Sequence, residues 1–451
     1  MNVQLKYYSR TIDNQLLAWK DSRRRKPLLL RGARQVGKSS AVRALAKHFP
    51  GFVEVNFDEN NLAKEIFENE KSPKEICKQL SSLFGQEIKA GETLLFLDEI
   101  QSCLPAIESL RYFFEKMPDL HVVAAGSLLE FALGKISSYG VGRINHLFLY
   151  PFSFEEYLKA KGKHLLVDAY RKSSPKTPLA LPLHKQLLKD LKDFLLIGGL
   201  PEAVAAYIET DSYLECQKVL DDLLVGFEDD FAKYHEHETS LNISEVFKSV
   251  VGQTEGKFVY EHVSPNISNY HVKRSLDLLI KAGLVYPVTH SAANGIPVGS
   301  ESNLKYRRCM LFDTGLHQRL SGLDISQILA VDDDDFDAIN KGAIAEIFVG
   351  QELLKESDSL LKHDLYCWHR EAKNANAQID YIVQIGQKIV PVEVKSGKKG
   401  SMNSLRIFMN EKQLHYGIRT SLENFGQLPE IDIYPLYAIS NVLKNNNIEE
   451  K

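Results

Sequence analysis

The 451-residue sequence contains no run of about 18 uncharged apolar residues, the length a helix needs to cross a bilayer. Its opening, MNVQLKYYSRTIDNQLLAWK, has no apolar core of the signal-peptide kind, so neither export nor a membrane partner is expected. Cysteine is scarce. Cys77, Cys103, Cys216, Cys309 and Cys367 are odd in number and form no C-x-x-C pair, which argues against a disulfide framework or structural zinc and for reduced thiols in the cytoplasm. A surplus of either charge is also lacking: a net charge of −4 draws in neither nucleic acid nor lipid, so binding to a polyanion must come from local patches. A chain this long exceeds one ordinary core and divides into several domains.

The most informative stretch present is PLLLRGARQVGKSSAVRALAKHF, residues 27–49. It reads as a buried strand at Leu28–Leu30, a glycine-bearing turn, and a helix whose apolar positions include Val42, Leu45 and Ala46. The turn fits G-x-x-x-x-G-K-S through Gly32, Gly37, Lys38 and Ser39. Glycines allow the backbone N–H groups of Gly32, Ala33, Arg34, Gln35, Val36, Gly37, Lys38, Ser39 and Ser40 to wrap phosphates. The helix N-terminus adds positive potential, Lys38 reaches the β and γ oxygens, and the Ser39 hydroxyl is offered to Mg²⁺. ATP with Mg²⁺ is therefore the expected cofactor.

Some sixty residues on, ETLLFLDEIQS ends an apolar strand in two carboxylates. Asp98 is expected to hold the magnesium and Glu99 to polarise the attacking water. The strand LHVVAAGS ends at Ser127, placed to touch the γ-phosphate or that water, although a polar residue closing a strand is also ordinary.

The phrases RTIDNQLLAWK, GARQVGKS, LFLDEIQ, AAGS, GRINHLFLYPFSFEEYL and IGGLPEAV together resemble the AAA-type ATPases of bacteria and archaea that carry an uncharacterised C-terminal extension. The resemblance covers most of residues 10–205 and implies nucleoside triphosphate hydrolysis. It also maps an arginine onto Arg143, with a finger or sensor role as one reading and a surface turn as the other. The proline-bearing RKSSPKTPLALPLH (171–184) reads as an exposed loop by a helical lid, and the basic run DSRRRKP (21–27) as a solvated helix end or a DNA contact.

Residues 206–330 turn helical and then β. NISEVFKSVVGQT and SNYHVKRSLDLLIKAGLV have helical spacing, and LVYPV and KYRRCMLFD follow as strands, which outlines a winged helix. His271, Lys273 and Arg274 on the second helix, with Lys305, Arg307 and Arg308 on the wing, would make a DNA-facing surface; a plain spacer domain fits the same pattern. His235 and His237 lack a third ligand for a metal. The acidic run 331–340 fails the calcium-loop pattern and reads as a solvated linker.

In the last quarter, AQIDYIVQIGQKIVPVEVKSG reads as two strands about a Gly386-Gln387 turn. By itself IVPVEVKSG is explained by a strand with one face in water. The two-residue turn, however, pairs residues whose numbers sum to 773 and sets Asp380 opposite Glu393, about 5 Å away, and Gln378 opposite Lys395. Like charges so placed call for a cation. Asp380 and Glu393 are the expected metal ligands, with Lys395 and Glu393 as catalytic groups of metal-assisted phosphodiester hydrolysis. The order Glu346, Asp380, Glu393-x-Lys395 resembles the restriction-endonuclease-like fold of the PD-(D/E)xK type, with Gln378 where that family usually has an acidic residue; the resemblance implies the helix residue Glu346 as a further metal ligand.

The expected architecture is α/β: a P-loop AAA-type ATPase domain with parallel sheet and helical lid (1–205), a winged-helix domain (206–330) and a restriction-endonuclease-like domain (331–451). The expected function is ATP hydrolysis acting on DNA through a nuclease-like domain. The alternative is an ATP-switched regulatory protein whose nuclease-like domain binds without cutting. ATP and DNA are the expected partners, and self-association into a homo-oligomer stays open.

Overall fold

The computed structural model describes residues 6–444 except 128, 135–139, 141, 235–237, 324–341, 358, 371–376 and 398–400. His235, His237 and the acidic run 331–340 therefore lie outside the described residues. The chain divides into two units, one holding residues 1–151 with 281–283 and 358–362, the other holding the rest.

The first unit is built on strands β1 (Leu28–Arg31), β2 (Gly51–Asn56), β3 (Thr93–Asp98), β4 (His121–Ala125) and β5 (Asn145–Phe148). All their pairings are parallel, in the order β2-β3-β4-β1-β5. The reason lies in the strands themselves. Leu28–Leu30, Leu94–Leu97 and Val122–Ala125 are continuous apolar runs without measurable exposure, as strands covered by helices on both faces require. Because β4 lies between β1 and β3, the chain leaving β4 emerges between the ends of the other two.

The second unit begins at residue 152 and includes the helices expected as a lid on the first domain. The expected loop at 171–184 is shorter than its prolines suggest. The helix His164–Lys172 runs into its start, and Leu181–Ile197 opens with Pro182 in its first turn, where proline loses no hydrogen bond. Helices Ser240–Gly252 and Asn269–Lys281 then precede a hairpin, β6 (Val285–Ser291) and β7 (Ser302–Leu311). The order expected of a winged helix is present, but the hairpin does not stand alone. It continues into β8 (Leu365–His369), β9 (Gln378–Ile385), β10 (Lys388–Val394), β11 (Gly417–Ser421), β12 (Gly426–Leu428) and β13 (Ile431–Pro435), giving one eight-stranded sheet ordered β12-β13-β11-β10-β9-β8-β6-β7. The parallel pairing of β6 with β8 carries hydrogen bonding across the boundary expected at 330.

The β9–β10 turn behaves as its glycine dictates. Gly386 takes φ 59° in the first central position, and the ladder runs from Lys388–Ile385 to Val392–Tyr381, every pair summing to 773. The half-exposed reading of β10 does not hold. Flanked by β9 and β11, it is buried from Val390 through Val394, Glu393 included at 5% exposure. Its alternation is therefore one of apolar and charged residues, both inside.

Candidate functional site

The first constellation gathers at the C-terminal ends of β1, β3 and β4. After β1 the loop takes positive φ at Gly32 (146°), Gln35 (65°) and Gly37 (92°), and the helix Lys38–Ala46 begins directly behind it. Such alternation turns successive backbone N–H groups toward one concave face, an anion cradle. A Cβ on Gly32 would stand 2.2 Å from the Leu149 carbonyl oxygen, so only glycine fits there. Lys38 is 8% exposed and donates from Nζ to the carbonyls of Gly32 (3.0 Å) and Ala33 (2.7 Å). Burial pushes its pKa down to about 8, with Arg34 adding to the fall and Glu99 and Asp98 opposing it.

The Ser39 hydroxyl donates to Asp98 Oδ2 at 2.8 Å, which brings together the two groups expected around Mg²⁺. Asp98 also accepts from the Glu99 N–H at 3.0 Å, and burial raises its pKa. Glu99 sits in the left-handed region at φ 48°, a conformation uncommon outside glycine and held here by its surroundings. Its Oε2 accepts from Gln101 Nε2 at 2.6 Å and, at 3.4 Å, from the Ser127 hydroxyl. Ser127 is thus beside Glu99, as β4's position between β1 and β3 requires. Ala33, Arg34, Val36 and Ser40 complete the loop and first turn, with Ser40 exposed.

Two residues here went unassigned in the sequence. Gln101 orients Glu99, and its side chain needs Gly126, where a Cβ would meet the amide oxygen at 2.1 Å. Arg10 donates to the Val36 carbonyl (3.2 Å) and the Tyr150 carbonyl (2.8 Å), bracing the loop from the N-terminal segment. The only signal for Gln101 was its place in LFLDEIQ; Arg10 is separated from its partners by long stretches of chain. Arg143, expected as a finger or a surface residue, pairs with Glu115 at 2.6 Å.

The second constellation lies in the other unit. Glu346 on the helix Gly342–Glu356, Asp380 on β9 and Glu393 on β10 do approach one another, but a residue expected elsewhere stands among them. Arg308, read from the sequence as a DNA-facing wing residue, is 2% exposed. Its Nη1 lies 2.5 Å from Glu346 Oε2 and 3.7 Å from Asp380 Oδ1, and its Nη2 donates to the Asp380 carbonyl at 2.5 Å. The correction has a simple cause: β7 belongs to the large sheet, so its inward residues face that sheet's core. Asp380 Oδ2 accepts from the Val394 N–H at 2.7 Å, and Tyr381 donates to the Glu346 carbonyl at 2.7 Å. Lys395 pairs with Glu393 Oε1 at 2.6 Å, while Glu393 Oε2 is buried without a hydrogen-bond partner among the described residues.

Burial raises the pKa of all three carboxyl groups, and the charge of Asp380 pushes Glu346 and Glu393 further up, against the pull of Arg308. Among the described residues no group of three His, Cys, Asp or Glu side chains is arranged to hold a metal ion. The expected metal triad thus has guanidinium and ammonium partners already: Arg308 for Glu346 and Asp380, Lys395 for Glu393. As arranged, these residues do not fit a divalent cation. The other expected DNA-facing groups divide. His271 bonds Glu238 at 2.8 Å and Arg307 bonds Asp277 at 3.2 Å, whereas Lys273 and Lys305 are exposed.

Residues 24–158, most of them in the first unit, match the family model of an AAA domain. Residues 188–327 and 341–439 match two domains of unknown function, DUF8612 and DUF4143. No curated protein matches the sequence. Among solved structures, the Walker-type ATPase PABY2304 of Pyrococcus abyssi is similar at 15% identity, covering 70% of this chain and 96% of its own, with a TM-score of 0.46. The Aeropyrum pernix ORC1 protein, solved in complex with DNA, is similar at 13% identity over 73% of this chain and 97% of its own, with a TM-score of 0.29. At these scores the likenesses carry no functional weight. No helix among the described residues is long and apolar enough to cross a membrane.

Proposed function

We propose that this protein binds and hydrolyses ATP at the first constellation. The reading is carried by one observation: Lys38, the Ser39–Asp98 pair and Glu99 meet at the ends of three parallel strands, under a loop whose backbone is already turned for an anion. The fit for Mg²⁺ rests on Ser39 and Asp98, hard oxygen donors 2.8 Å apart beside the phosphate cradle. When bound, the metal neutralises phosphate charge. The chain's own residues do the rest. Lys38 exchanges the Gly32 and Ala33 carbonyls for phosphate oxygens, and Glu99, oriented by Gln101, accepts a hydrogen bond from the attacking water. Lys38→Ala is the test: hydrolysis at the parental rate would show that the phosphate loop is misassigned.

The site is coupled, in this proposal, to action on DNA through the second unit, whose carboxylate cluster resembles a PD-(D/E)xK site. The position of Arg308 favours binding without cutting, because its guanidinium already compensates the charges a metal would need. Mg²⁺-dependent cleavage of single- or double-stranded DNA by the parent protein, lost in Lys395→Ala, would overturn that preference in favour of a nuclease.

A further inference from the structure

Beyond these two constellations, the second unit contains a cavity of about 620 Å³ formed by three separate pieces of chain. One wall is the segment Lys257–Glu261, a second is the helix Asn269–Lys281 through Lys273 and Asp277, and the third is the outer half of β7 through Leu304, Lys305 and Arg307. The first wall is fixed to the third by the Phe258 N–H, which donates to the Arg307 carbonyl at 2.9 Å. Backbone hydrogen bonding thus joins two of the cavity's walls.

Its charge is unbalanced. Lys257, Lys273, Lys305 and Arg307 line it against Glu261 and Asp277. Arg307 is committed, with Nη2 on the Tyr260 hydroxyl at 3.1 Å and on Asp277 at 3.2 Å, and Glu261 accepts from Asn269 at 3.1 Å. The three lysines are exposed, and none has a carboxylate partner among the described residues. Lys257 is held instead by the ring face of Tyr306, 5.7 Å from its centroid. Three lysines thus line one concavity with no carboxylate on any of them among the described residues, and focusing by the cavity walls favours an anion there. Leu304, 73% exposed at the rim, supplies an apolar surface beside them.

We propose that this cavity binds the backbone of a single nucleic-acid strand, with Lys257, Lys273 and Lys305 as phosphate ligands and Leu304 beneath a sugar or base. The volume admits a nucleotide or two and is too confined for a duplex. Lysine suits the role as a mobile point charge that follows phosphates of varying orientation. The proposal rests on the reading that this chain acts on DNA and adds the place where a strand is held.

The test uses the full chain and a fluorescent 20-nucleotide oligothymidine, followed by anisotropy from 50 to 200 mM salt. Each phosphate contact on a single strand contributes about −0.7 to the slope of log affinity against log salt, so the triple variant Lys257→Gln/Lys273→Gln/Lys305→Gln should lose about 2 units of slope, with ATP hydrolysis unchanged. Over that fourfold range the parent should then lose about 20-fold more affinity than the variant. Arg23→Gln/Arg24→Gln, in the basic run before β1, should keep the parental slope. If the parent binds DNA and the pocket variant retains the full slope, the pocket is not the site although the DNA reading stands. Failure of the parent to bind either single-stranded or duplex DNA removes both. Equal binding of poly-glutamate by the parent would mark a general anion site and overturn the assignment to nucleic acid.

Discussion

Replacing Arg308 by methionine keeps much of the side chain's volume and removes only the guanidinium. Glu346 and Asp380 then lose the cation 2.5 Å and 3.7 Å away; Asp380 is buried and Glu346 is only partly exposed, so water replaces the guanidinium incompletely. Breaking a buried pair by deleting one partner costs about 3–5 kcal/mol, whereas the intact pair contributes far less, because the cost is that of the orphaned charge. At an m-value of about 3 kcal/mol/M, the urea midpoint should fall by about 1–2 M. Trp368, on β8 and 4% exposed, reports on this sheet once Trp19 is replaced by phenylalanine. On the reading that Arg308 stands in for a metal, Mn²⁺ at a hundred times its dissociation constant should restore about 2.7 kcal/mol to the variant. Adding Glu346→Gln should recover part of the loss, since the carboxylate left unpaired is then neutral. A midpoint within experimental scatter of the parent's would refute the view that Arg308 holds the cluster together. Equal stabilisation of parent and variant by Mn²⁺, with Lys38→Ala present in both to silence the ATP site, would refute the view that it stands in for a metal.

Glu99→Gln keeps the hydrogen bonding but not the base, so turnover should fall by about 10²–10⁴-fold with ATP affinity retained; an unchanged rate would remove Glu99 from the mechanism. Lys38 is held at about 8 from 10.5, so between those values the unfolded chain binds more protons and this group's contribution to stability rises with pH. Phosphate oxygens reverse the burial effect. ATP binding should therefore take up a proton near pH 8 and weaken above it, read by titration calorimetry in buffers of different ionisation enthalpy. Gly32→Ala drives a Cβ against the Leu149 carbonyl at φ 146° and should cost about 1–3 kcal/mol in thermal denaturation along with ATP binding. Burial between Trp19 and Phe49 lowers His121 to about 4, so its contribution to stability is lost as pH falls below 6.5; His121→Phe should flatten the acid limb of melting temperature against pH.

The geometry of the candidate phosphate site was legible in the sequence because its parts are local. A strand, a turn with glycines at fixed offsets and a helix start are set within fifteen residues, and the physics of an anion cradle admits few residue types. The β9–β10 register was legible for the same reason, since a two-residue turn leaves one pairing. Burial and partners at a distance were not. Val390, Val392 and Val394 alternate with charge in a way a half-exposed strand would share, and only the placement of β10 between β9 and β11 puts Glu393 inside. Arg308 stands beside Arg307 in the chain, and nothing local tells one from the other. The pleat sends one toward Tyr260 and Asp277 at the cavity and the other into the core against Glu346 and Asp380. Residue types and short-range spacing thus determined the loop and the residues proposed to bind a nucleotide. The sheet's long-range pairing decided whether the second cluster of carboxylates faces a metal or an arginine, because the charge that balances a buried group can come from any strand the fold brings alongside it.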